Sequence, residues 1–123
     1  MENKYLLPHE LYMETLWHIR GYRRLLAEYN AVVVESPPPP DGLPKGNGTG
    51  DPVFAKAAKL EKLHKEIYPI EEALKMIPQE YRVGIFTNIL DRVPYPDYAN
   101  IKTWKLWRQR YVYNVAMLRG RIE

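Results

Sequence analysis

The chain has 123 residues, 46% of them hydrophobic, no cysteine and a formal net charge of +3. That length suits one compact domain. The lack of cysteine excludes disulfides and thiolate metal sites and makes a reducing cytoplasm the default. No apolar run approaches the ~20 residues that cross a bilayer.

The charge is uneven along the chain. Residues 1–97 hold 12 Lys/Arg against 14 Asp/Glu, whereas 98–123 hold six Lys/Arg against Glu123 alone. A basic C-terminal segment on a near-neutral body suits a polyanionic partner, most simply nucleic acid.

The first element expected is a helix over about 8–33, with Pro8 in its first turn, where a missing N–H costs nothing. Tyr12, Leu16, Ile19, Tyr22, Leu26, Tyr29 and Val33 recur at spacings of three and four, which line one face. Gly21 lies inside and weakens the helix by about 1 kcal/mol relative to alanine. The β-branched run Val32-Val33-Val34 favours an early end. Residues 36–52, SPPPPDGLPKGNGTGDP, form an exposed, flexible linker, because four prolines cannot continue a helix and the glycines add freedom.

Residues of about 52–77 carry the strongest pattern. Asp51 is a suitable N-cap and Pro52 a suitable first helical residue. Leu60, Leu63, Ile67, Ile70, Leu74 and Ile77 then follow spacings of 3, 4, 3, 4 and 3, a coiled-coil seam flanked by Lys and Glu. The seam keeps its register across Pro69, which predicts one kinked helix. Paired antiparallel with the first helix, it makes a helical hairpin.

A third helix is expected over about 78–92, burying Tyr81, Ile85 and Ile89. VPYPDYAN ends it. A fourth runs from the cap Asn100 to about Arg119, with Gly120 as terminator. Its apolar set is Ile101, Trp104, Trp107 or Arg108, Tyr111, Val115 and Leu118, and both tryptophans are read first as core. A helix, a short connection and a basic helix outline a helix-turn-helix. The fold class expected is therefore all-α, a long antiparallel helical hairpin with a C-terminal helix-turn-helix-like unit. Its parts are an N-terminal helix (1–35), a Pro/Gly-rich linker (36–52), a second hairpin helix (53–77) and a DNA-binding unit (78–123).

No catalytic constellation can be assembled. Ser36 is the only serine and precedes the proline tract, so triad chemistry has no nucleophile. GNGTGDP follows a proline tract and lacks a Gly-Lys-Ser/Thr ending, which favours a linker over a phosphate loop. His9, His18 and His64 form no HExxH, and the turn-spaced Glu14 and His18 fall short of three or four metal ligands. Asp91 and Asp97, or Glu71 and Glu72, matter as acid–base pairs only if a cleft converges them. The expectation is a non-enzymatic protein without cofactor or metal.

Basic and polar side chains of the last helix are the candidate nucleic-acid contacts: Lys102, Thr103, Lys105, Arg108, Gln109 and Arg110. Lys102, Lys105 and Gln109 share a helix face suited to phosphates or guanine edges in a major groove. Trp104, Trp107, Tyr111 and Tyr113 interleave with these bases, a pattern also seen where aromatics stack on nucleic acid.

From Pro44 onward the order of segments is a glycine-rich loop, IEEAL, IPQEYRVGIFTNI, a proline-tyrosine turn and TWKLWRQRYVYNVAML. It resembles the RinA/ArpU-like group of phage and prophage transcriptional regulators, whose C-terminal part is similar to the helix-turn-helix of sigma factor region four. The elements that carry the resemblance are Ala73-Leu74 and Pro78, Glu80, Tyr81 and Arg82. The turn Val93–Tyr98 is bulkier and longer than in sigma-like units, and the last helix holds large aromatics where such units have short polar side chains. The resemblance implies a DNA-binding regulator in a bacterial cytoplasm, with double-stranded DNA and RNA polymerase as partners and a homodimer formed through the hairpin. The alternative is a helical interaction or assembly module, such as a phage packaging or adaptor component.

Overall fold

Five helices make up the computed structural model, which describes residues 4–35 and 52–122: α1 (His9–Arg20), α2 (Tyr22–Val33), α3 (Pro52–Lys75), α4 (Gln79–Asp91) and α5 (Ile101–Leu118). Residues 36–51 of the expected linker, with the glycine-rich GNGTG and the cap Asp51, lie outside the described residues, and Pro52 opens α3. No helix among the described residues is long and apolar enough to cross a membrane.

The single helix expected over 8–33 is two. Gly21 stands between them with φ −81° and ψ 3°, its N–H shared between the carbonyls of Trp17 (3.2 Å) and His18 (3.1 Å). The low helix propensity of glycine is used here as a joint. It lets α1 pack against α4 and α5 while α2 lies along α3. Pro8 precedes the first helical residue rather than occupying the first turn, and its carbonyl accepts from Tyr12 N–H at 2.9 Å. Pro78 does the same for α4, accepting from Tyr81 N–H at 3.0 Å.

The hairpin is antiparallel. Near the body, the Tyr22 hydroxyl donates to Glu71 Oε2 at 2.6 Å. At the far end, Lys56 Nζ donates to the carbonyls of Val33 and Glu35, both at 3.1 Å, and so satisfies the end of α2 with a cation. The α3 seam serves two partners. Leu63 is half-buried in the hairpin, whereas Ile67, Ile70 and Ile77 are buried in the main core. Pro69 sits inside the helix, as the unbroken seam register predicts.

α5 runs through the centre, its C-terminal half antiparallel to α3. Tyr111, Val112, Val115 and Ala116 are all fully buried, and the Tyr111 hydroxyl donates to the Ile70 carbonyl at 2.9 Å. Burial drives the Tyr111 phenol pKa far above its ordinary value. Leu16 and Ile19 of α1 and Ile85 and Ile89 of α4 close the same core. The 78–123 unit thus shares its core with α1 and α3. Ile101, expected on the apolar face, is exposed as the first residue of α5.

Trp104 is enclosed completely. Tyr95 stacks on it (5.6 Å between centroids, 4° between planes), while Tyr81 and Tyr98 meet it edge-on at 5.1 and 5.3 Å. A Cβ at Gly84 would come within 2.6 Å of the indole, so only glycine admits the ring this close to α4. The bulky turn after α4 is therefore part of the core.

Candidate nucleic-acid interface

Asn100 starts α5, its side chain accepting from Lys102 N–H at 2.8 Å. This N-cap fixes where the first turns point, and Lys102 and Lys105 emerge exposed. Opposite them lie Leu6, Leu7, His9 and Tyr12, and with Leu106 and Gln109 these residues line an open groove of about 590 Å³. Lys102, Lys105 and Gln109 share a face, as their spacing predicts. Thr103 is half-buried, at the margin.

Arg108 turns inward from the same stretch. Its Nη1 donates to Asn88 Oδ1 at 3.1 Å and to the Tyr95 hydroxyl at 3.5 Å. Burial opposes its charge, but hydrogen bonds to Tyr95 and Tyr12 and the electrostatic influence of both carry its pKa above the ordinary guanidinium value. Tyr12, which lines the groove, therefore also touches Arg108.

Arg110 does not line the groove. Its guanidinium lies between two rings, 4.7 Å from the centroid of Tyr5 and 5.0 Å from that of Trp107, an arrangement that attracts the cation to both faces. Trp107 in turn stacks on Tyr81 at 5.9 Å. Trp104 is core and Trp107 is half-buried at its margin. Arg110 thus clamps the N-terminal segment onto α5, and Tyr5 meets Tyr113 edge-on at 5.1 Å. Near the other end of the helix, Arg119 Nη1 pairs with Glu14 Oε1 at 2.9 Å. The basic segment is thereby divided into an open first half and a C-terminal end tied to α1.

The remaining candidates resolve into structural contacts. His18 Nε2 bonds the Glu66 carbonyl at 2.8 Å, and its pKa is lowered, burial outweighing that bond. Glu14, one turn away, is taken by Arg119. Asp91 is gripped by both Nη atoms of Arg23, with Nη2–Oδ2 at 2.8 Å, which holds its carboxyl below the ordinary range. Among the described residues no three His, Asp or Glu side chains gather as a metal site.

No carboxylate among the described residues pairs with Lys102, Lys105, Arg108 or Arg110, nor with Arg20, Lys56, Lys59, Lys62, Arg82 or Arg92, whereas Arg23, Arg24, Lys65, Lys75 and Arg119 are paired. Sequence reasoning missed His9 and Tyr12, which face α5 from nearly a hundred residues away. No local signal marks such a juxtaposition. No protein-family model matches the chain, and neither does any curated protein or solved structure.

Proposed function

We propose that this chain is a small, non-enzymatic DNA-binding transcriptional regulator that engages duplex DNA through the first half of α5. The observation that carries this reading is the pair Lys102 and Lys105, exposed beside an open groove and paired with no carboxylate among the described residues. Helices that read a major groove do so from their N-terminal residues, with basic side chains on phosphates and guanine edges. Buried aromatics hold the rest of α5 rigid, and a rigid support is what positions such contacts. The resemblance to RinA/ArpU-like regulators points the same way, and Gln109 joins the lysines as a candidate base contact.

The test is fluorescence anisotropy on a mixed-sequence duplex across a salt series. Wild-type protein is expected to bind with a negative log–log salt slope. Lys102→Ala/Lys105→Ala should weaken binding and flatten the slope by about 2, close to one unit per lost phosphate contact. Duplex binding that ignores both lysines at low salt overturns the assignment.

A second reading, an assembly module, is favoured by the groove of about 530 Å³ between α2 and α3, with Leu25, Ala31, Val32 and Leu63 in its lining. Sedimentation in high salt without nucleic acid separates the two. A stable oligomer with no affinity for DNA supports assembly.

A further inference from the structure

The last turn of α4 gathers arginines from three elements. Arg20 of α1 donates through Nε to the Ile89 carbonyl at 3.1 Å, and its guanidinium lies 5.2 Å from the Trp17 ring centroid. Arg108 of α5 bonds the side chain of the adjacent Asn88. Arg92 follows Ile89 by three residues, with its backbone in the left-handed region at φ 56°. Two guanidiniums therefore meet at one helix end, and Arg92 lies close enough for its charge to act on Arg20.

The negative end of the α4 dipole accounts for some attraction of cations there, but it is worth about half a charge against three. The acid in the same turn, Asp91, is already engaged bidentately by Arg23. Among the described residues none of Arg20, Arg92 and Arg108 pairs with a carboxylate. Arg108 Nε is buried without a hydrogen-bond partner. Burial, and then the charges of Arg92 and Arg108, hold the Arg20 pKa below its ordinary value. An anion would offset the repulsion of like charges held together in this way. Guanidinium groups match the oxygens of a phosphate in geometry as well as charge. Through Tyr12, which contacts Arg108 and lines the Lys102/Lys105 groove, the cluster adjoins the α5 surface.

We propose that Arg20, Arg92 and Arg108 form one phosphate-binding cluster, which adds a backbone contact from α1 and the end of α4 to the duplex surface of α5. The proposal rests on the duplex-binding reading and extends it to the end of α4 and to α1, a helix outside the outlined helix-turn-helix.

Two probes test it on the full chain. With a fluorescein-labelled duplex at low salt, Arg20→Gln/Arg92→Gln should bind roughly tenfold more weakly, with a salt slope flatter by about 1–2. Arg92→Gln alone should give the smaller share, and because Arg92 is exposed this variant guards against loss of folding, checked by circular dichroism. With inorganic phosphate, the Nε–Hε resonances of Arg20 and Arg108 should shift saturably in wild type and much less in Arg92→Gln. If wild type binds duplex and the double arginine variant matches it in affinity and slope, the cluster is overturned and the function stands. If wild type binds no duplex, the function fails, and the cluster is retained only if phosphate still moves the arginine resonances; without that shift both are overturned.

Discussion

Gly84 and the Trp104 indole compete for one piece of space. In an exposed helix interior, replacing glycine by alanine gains about 1 kcal/mol. At Gly84 the added methyl meets the ring at 2.6 Å and Pro96 Cδ at 3.1 Å, and Trp104 is held by three tyrosines. Overpacking of this kind costs about 1–3 kcal/mol and outweighs the propensity gain. Gly84→Ala is therefore expected to lower the urea midpoint, and a raised midpoint would contradict the Trp104 packing. The sequence marks Trp104 as core by its place on a helical stripe. It does not mark Gly84, because the contact joins positions 20 residues apart and glycine carries no periodic signal.

At the level of elements, the α3 seam and the Asn100 cap were legible, and the joint at Gly21 was not. The seam Leu60–Ile77 predicts α3 through Pro69, and Asn100 predicts the start of α5, because both are local patterns. The division of the first helix at Gly21 escaped because the apolar stripe continues across it. What decides the break is the different partner of each half, α5 and α4 for one and α3 for the other. Of the candidate contacts, Lys102, Lys105 and Gln109 came together as one helix face predicts, since their arrangement needs no tertiary information. Arg110 was drawn away by Tyr5 and Trp107, a contact that depends on where the N-terminal segment lies. The cap gives a direct check on α5. Asn100 is exposed and its side chain accepts the Lys102 amide, so Asn100→Ala should lower stability by about 1 kcal/mol. Thermal unfolding that leaves the melting temperature unchanged would mean the cap contributes nothing.

For the molecule as a whole, the two helices of the hairpin are tied together, where it meets the body, in part by a titratable bond. Burial, followed by the hydrogen bond to Glu71 and the charge of that carboxylate, raises the Tyr22 pKa to about 12. A phenol free in the unfolded chain titrates near 10. The folded state therefore holds the proton more tightly, and the contribution is fully present below about pH 10 and lost as pH rises through about 12. Denaturant midpoints should fall over that window in wild type, with Tyr22→Phe showing a shallower decline. Equal declines would place the alkaline sensitivity elsewhere.

The left-handed backbone at Arg92 sets holding together against holding on. A position with that dihedral suits glycine, and a side chain there is strained. Exchanging the arginine for glycine should make the protein sturdier, by about 1 kcal/mol, while, on the proposed function, making it a poorer ligand for duplex DNA. Arg92→Gly should thus move the melting temperature and the binding isotherm in opposite directions. A residue whose replacement improves the scaffold and impairs the task is one that the scaffold alone would not have chosen.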